Sequence, residues 1–142
     1  MELPLTGGCL CGAARYEITQ APVRTYTCHC TDCQRATVSA FSISIIVPAG
    51  AFHLTGKALM GAAGGVTDGG RLKTRWVCPD CGICICGGPA FGTEPPGNQR
   101  NVRAGTLDDT SWLRPTRHLW TRTRQPWIVL PEGDEIFETQ PV

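Results

Sequence analysis

Nine cysteines in 142 residues, gathered into three short clusters, constrain this chain more than any other feature. The first cluster is Cys9-Leu10-Cys11-Gly12 and the second is Cys28-His29-Cys30-Thr31-Asp32-Cys33. The third is Cys78-Pro79-Asp80-Cys81-Gly82, with Cys84 and Cys86 close behind. An odd count fits a complete disulfide framework poorly, whereas C-x-C and C-x-x-C spacings can place two sulfurs on one metal ion. The N-terminal stretch, Met1 to Thr6, has neither the basic segment nor the apolar run of a signal peptide. No apolar run approaches the roughly 20 residues of a membrane helix. The expected compartment is the cytoplasm, where thiols stay reduced and clustered cysteines usually mean metal.

Two unequal zinc sites follow. Cys78-x-x-Cys81 and Cys9-x-Cys11 are each followed by glycine, which permits the turn that aims backbone amides at the sulfurs. Cys9, Cys11, Cys78 and Cys81 are therefore expected to close a structural zinc site. Cys28, Cys30 and Cys33 remain, three thiolates on one loop that can hold zinc with a fourth position open to water or an incoming ligand. Zinc in such a site acts as a Lewis acid, and a sulfur-rich zinc suits a soft thiolate substrate. His29 has two readings, a fourth ligand that closes the second site or a group that touches ligands or substrate. Its place between two ligand cysteines strains the first reading and favours the second. Arg35 is either a cation that offsets the charge of the three thiolates or a solvated side chain. Cys84 and Cys86 alternate with Ile83 and Ile85, a pattern that suits a strand with buried thiols and favours core packing over a metal or redox role.

The rest of the chain reads as β structure. Glycine (17) and proline (11) are abundant and charged residues make up only 18%, which favours short strands and many turns. Strands are expected at 14–18, 23–27, 40–47, 51–54, 57–60, 72–77, 101–104, 117–121, 127–130 and 135–137. The clearest is 40–47, where Phe41, Ile43, Ile45 and Val47 share one face opposite Ser42 and Ser44, the mark of a half-buried strand. Cys30 to Ala36 suits a tight ligand loop or a single helical turn, and 61–70 a flexible glycine-rich loop. Nothing carries a sustained helical period, and residues 1–142 are expected to form one mainly β domain.

A net charge of +1 provides no general attraction to nucleic acid or to anionic membranes, so a small molecule or a protein is the expected partner. Arg114, Arg117, His118, Arg122 and Arg124, interleaved with Trp112, Trp120 and Trp127, are an anion-binding stretch or, as favoured here, a strand with solvated arginines. Asp108 and Asp109 are expected to bond local backbone amides in a turn.

These motifs resemble the glutathione-dependent formaldehyde-activating enzyme family, which also contains centromere protein V. The resemblance is carried by Gly8-Cys9-Leu10-Cys11-Gly12 with Tyr16, by Cys28 to Cys33 with Arg35, and by Cys78 to Gly82. It continues through Ala104-Gly105-Thr106-Leu107-Asp108-Asp109, Pro115, His118-Leu119-Trp120 and Pro126-Trp127, spanning about 5–130. It implies a tent-like fold of packed antiparallel sheets and two zinc ions, structural on Cys9, Cys11, Cys78 and Cys81 and catalytic on Cys28, Cys30 and Cys33. It also implies a carbon–sulfur lyase acting on a thiol adduct such as S-(hydroxymethyl)glutathione, formed from glutathione and formaldehyde. The chain departs from the pattern at Ile83, where the family usually has threonine, at Val38, where glycine is common, and in carrying Cys84 and Cys86 at all. The alternative is a non-catalytic zinc module that binds protein or nucleic acid.

Overall fold

The alternating run around Ile45 lies in the middle of the larger of two sheets. The computed structural model describes residues 1–66 and 72–141. In chain order its strands are β1 (Leu5–Gly8), β2 (Arg15–Ile18), β3 (Arg24–Cys28), β4 (Ser42–Pro48), β5 (Phe52–Leu54) and β6 (Met60–Val66). They continue with β7 (Leu72–Val77), β8 (Cys84–Gly87), β9 (Gln99–Arg103), β10 (Arg117–Leu119) and β11 (Glu135–Ile136). An α-helix, α1, spans Thr31–Thr37, and three short 3-10 turns lie at Ala49–Ala51, Ala104–Thr106 and Thr121–Thr123. The fold is mainly β, as expected. The small sheet has the order β1-β2-β5 and the large one β11-β10-β3-β4-β9-β8-β7-β6. Pairing is antiparallel except around β10, which runs parallel to both β3 and β11.

The core lies between the sheets. Tyr16 and Ile18 from the small sheet meet Ile45, Val47, Ile85, Cys86 and Val102 from the large one, all almost fully buried. Tyr16 stacks on Phe52 with centroids 5.0 Å apart, and burying each large side chain of this kind stabilises the fold by about 1.5–3 kcal/mol.

Three expectations need correction. β4 is not half-buried, because Ser42 and Ser44 are as inaccessible as Ile45; its neighbours β3 and β9 lie on both sides, and its serine face is covered. Residues 57–59 form no strand, and β6 instead occupies 60–66, where a glycine-rich loop was expected; 67–70 of that loop lie outside the described residues. Trp127 to Leu130 is not a strand: a turn at 126–127 puts the Ile128 N–H on the Gln125 carbonyl, and Pro126 and Pro131, which bracket the segment, cannot donate to a ladder.

Candidate metal centres

Two groups of thiols come together, the same two that the spacing separates. The sulfurs of Cys9, Cys11, Cys78 and Cys81 lie within 4.8 Å of one another, as do those of Cys28, Cys30 and Cys33. All nine cysteines are free thiols. A tetrahedral centre with metal–sulfur bonds of about 2.3 Å places its sulfurs about 3.8 Å apart. Cys9 and Cys11 are separated by 3.5 Å and Cys11 and Cys78 by 3.8 Å, so the four-sulfur group fits a metal of this kind. Gly12 and Gly82 make it possible. They adopt φ of +84° and +78°, a left-handed turn that costs other residues free energy, and open space surrounds both, so the requirement is conformational. The Ala14 N–H reaches the Cys9 sulfur at 3.3 Å. Against a desolvation that opposes it, this bond and the neighbouring thiols bring Cys9 down to about 6.

The second group is built by the end of β3 and the start of α1. Cys28 ends the strand. Cys30 caps the helix, its sulfur accepting the Cys33 N–H at 3.3 Å, a role usually played by a short side-chain oxygen. Cys33 sits one turn inside, so the single turn expected here extends into a short helix. Its end is unusual. Val38 closes it at φ 52° and ψ 42°, with its N–H on the Arg35 carbonyl and the Ser39 N–H on that of Gln34, the bond pattern of a glycine cap. Cys28 and Cys33 are buried and Cys30 is half-buried. Cys33 is held well below the usual thiol range by the Cys28 and Cys30 thiols, and the same crowding pushes Cys28 far up. No other Cys, His, Asp or Glu among the described residues joins these three within 4.8 Å, His29 included.

Hydrogen bonds hold the loop between Cys28 and Cys30 in place. The His29 backbone is tied on both sides, its N–H to the Leu119 carbonyl and its carbonyl to Gln34 Nε2 and Thr123 Oγ1, each at 2.9 Å. Its ring is buried beside Phe41, and desolvation, aided by His118 and Arg124, lowers its pKa to about 4. Arg35 is exposed on α1, and a second cation, Arg103 from β9, acts on the Cys33 thiol. Arg103 Nη1 donates to Ser44 Oγ at 3.2 Å. Against the desolvation of its burial, Cys84 and Cys33 raise its pKa. Ser42 also flanks Cys33 and helps to hold its thiol low.

A sequence model of the glutathione-dependent formaldehyde-activating enzyme family matches residues 4–123. The chain belongs to that family. A solved structure of a Rhodobacter sphaeroides protein is similar in fold, with a TM-score of 0.53 and 16% identity over 93% of this chain and 98% of that one. No curated protein sequence matches. No helix among the described residues is long and apolar enough to cross a membrane.

Both thiol groups of this formaldehyde-activating family member fall inside the matched span. The basic stretch near its end is not an open anion site. Arg114 grips Asp134 with both Nη atoms, at 3.1 and 3.0 Å; Arg117 pairs with Glu135; and Arg122 lies over the Trp120 ring. Asp109 does form the expected turn, its Oδ1 accepting the Ser111 N–H. Asp108 does not, because it reaches across the fold to Arg15 and Thr6. Cys86 packs in the core, and Cys84, half-buried, borders Arg103. Sequence reading missed Arg103 and the partners of His29, which reach the site only through strand pairing.

Proposed function

We propose that the chain is a zinc-dependent carbon–sulfur lyase that acts on a thiol adduct such as S-(hydroxymethyl)glutathione, in a reducing, cytoplasmic compartment. Residues 1–142 act as one domain with two zinc ions, structural on Cys9, Cys11, Cys78 and Cys81 and catalytic on Cys28, Cys30 and Cys33. The observation that carries this reading is a group of three thiols that no fourth Cys, His, Asp or Glu among the described residues completes. Membership of a formaldehyde-activating family supports the substrate class. Zinc held by these thiols would supply Lewis-acid chemistry at its open position, where a substrate sulfur is a suitable soft donor.

The chain's own residues shape the rest. Cys28, Cys30 and Cys33 would supply three donors to a tetrahedral ion, which leaves its fourth position to the substrate. Three thiolates and a divalent ion carry a net negative charge, which Arg103 partly offsets from β9. Buried Ser42 and Ser44 limit the access of water to the thiols from the β4 side. Arg35, exposed on α1, can meet an anionic end of the thiol substrate from outside. In the cleavage direction the carbon–sulfur bond of R–S–CH2–OH breaks with its electron pair passing to sulfur. The hydroxyl loses its proton and formaldehyde leaves.

Two-dimensional exchange NMR on glutathione, formaldehyde and their adduct tests the reading. The expected result is faster exchange with the zinc-loaded protein than in buffer, lost in Cys30→Ser. Equal rates with and without protein refute it in favour of a binding module.

A further inference from the structure

Four arginines of this chain lie against a carboxylate: Arg15 on Asp108, Arg100 on Glu94, Arg114 on Asp134 and Arg117 on Glu135. Arg103 has no such partner among the described residues, although it is half-buried. A guanidinium drawn out of water without an anion costs free energy. Its Nη1 donates to Ser44 Oγ at 3.2 Å, and the Cys84 thiol lies beside it. Arginine has five N–H donors in a planar fork that matches a carboxylate. One hydroxyl and one thiol leave most of them unspent.

Strand register places that fork. Cys28 stands opposite Ser42, and Arg103 stands opposite Ser44. Ser42 and Ser44 share one face of β4, about 7 Å apart along the strand. The bond to Ser44 Oγ holds the guanidinium over β4, on the face that carries Cys28. Cys33 flanks Ser42 from α1 and feels the charge of Arg103. The fork is therefore about one residue row from the thiols. An anion held there belongs to the part of a ligand next to its sulfur, not to its far end. The adduct R–S–CH2–OH carries no anion at that place.

We propose that Arg103 is a specificity-determining residue that binds a carboxylate on the carbon next to the substrate sulfur, so that the aldehyde best suited to this chain carries its own carboxylate, glyoxylate being the smallest. The reaction rests on the lyase reading; the carboxylate site does not. The adduct is then R–S–CH(OH)–COO⁻. In the cleavage direction its carbon–sulfur bond breaks with the electron pair passing to sulfur. The hydroxyl loses its proton to solvent, and glyoxylate leaves with its carboxylate unchanged.

Calorimetry on the zinc-loaded full chain tests the site without reference to activity. It compares mercaptoacetate with mercaptoethanol, which carry a carboxylate and a hydroxymethyl group on the carbon next to sulfur. The wild type is expected to bind mercaptoacetate about 10- to 100-fold more tightly, the range of hydrogen bonds to a charged group. Arg103→Met is expected to lose that preference. Arg103→Lys keeps the charge that offsets the thiolates but not the fork. It is expected to hold both zinc ions in native mass spectrometry and to cut the preference at least about 5-fold. Equal affinities in the wild type, or an undiminished preference in either variant, overturn the site. Exchange NMR with glutathione then compares glyoxylate with glycolaldehyde, its neutral counterpart. The expected kcat/KM is about 10-fold or more in favour of glyoxylate, and equal for the two in Arg103→Met. Glycolaldehyde exchanged as fast by the wild type overturns the substrate assignment. A wild type that speeds exchange of no aldehyde, formaldehyde included, sinks the lyase reading, and the calorimetry still decides whether Arg103 holds a carboxylate.

Discussion

Replacing Val38 with glycine should make this protein more stable, although it removes a side chain and adds nothing. Val38 holds φ 52° and ψ 42° at the end of α1. For an L residue this region costs about 1–2 kcal/mol, and a β-branched side chain belongs at the upper end. Its side chain is 92% exposed, so truncation forfeits almost no burial. The opposing effect is the larger unfolded-state freedom of glycine, about 0.5–1 kcal/mol. The difference is a gain of roughly 1 kcal/mol, or about 3 °C in thermal midpoint for a chain of this size. Guanidinium unfolding of the zinc-loaded protein measures it, with Val38→Ala as control. Alanine removes the branch but keeps a Cβ in the left-handed region, so it should fall between the two. A glycine variant no more stable than the wild type would mean that the strain is not there.

Further outcomes follow from the same contacts. Cys78→Ala should lose one of two zinc ions by native mass spectrometry and lower the thermal midpoint by roughly 10 °C or more, because binding energy at a structural site is folding energy. Cys33→Ala should lose the other ion with less than half that shift; equal shifts contradict the division of roles. Arg100 is fully buried and donates to the Gly87 and Pro89 carbonyls at 3.0 and 3.1 Å, with its guanidinium 4.0 Å from the Phe91 centroid. Arg100→Ala leaves those carbonyls unpaired and a void behind, and should cost about 3 kcal/mol in urea unfolding; a loss below about 1 kcal/mol is incompatible with this packing. Asp108 is held down to about 2, chiefly by Arg15 and then by Thr6. A depressed carboxylate stabilises the fold above its unfolded pKa, and that contribution disappears as pH falls through about 4 towards 2. Both partners are well exposed, so screening leaves about 0.5–1 kcal/mol. The stability gap between wild type and Asp108→Asn should therefore shrink to nothing over that acid range, and a gap that persists at pH 2 argues against the pair.

The thiol groups were legible in the sequence because metal-ligand spacing is a local signal. Two residues between cysteines, and a glycine after them, survive any arrangement of the rest of the chain. The β character was legible for a similar reason, since alternation and turn residues act over a few positions. What alternation could not tell is what covers each face. The serines of β4 look solvent-facing by pattern, yet they line the wall of the second thiol group. Helix α1 carries no apolar period because a cysteine cap and metal-ligand spacing occupy its few positions. Arg103 belongs to no motif. It is ordinary in its own segment, and the pairing of β4 with β9 brings it to the thiols.

The parallel pairing of β10 on β3 has a consequence for synthesis. All three thiols of the second group leave the ribosome within six residues of one another, and a nascent chain barely past Cys33 already carries a complete thiol triplet. The hydroxyl that ties down the His29 carbonyl comes 94 residues later, from Thr123. Domains generally fold as units while the chain emerges N-terminus first. On the zinc-lyase reading, capture of the metal and readiness for chemistry would be separated in time. The young chain would hold its ion early and become competent only when its last strands dock.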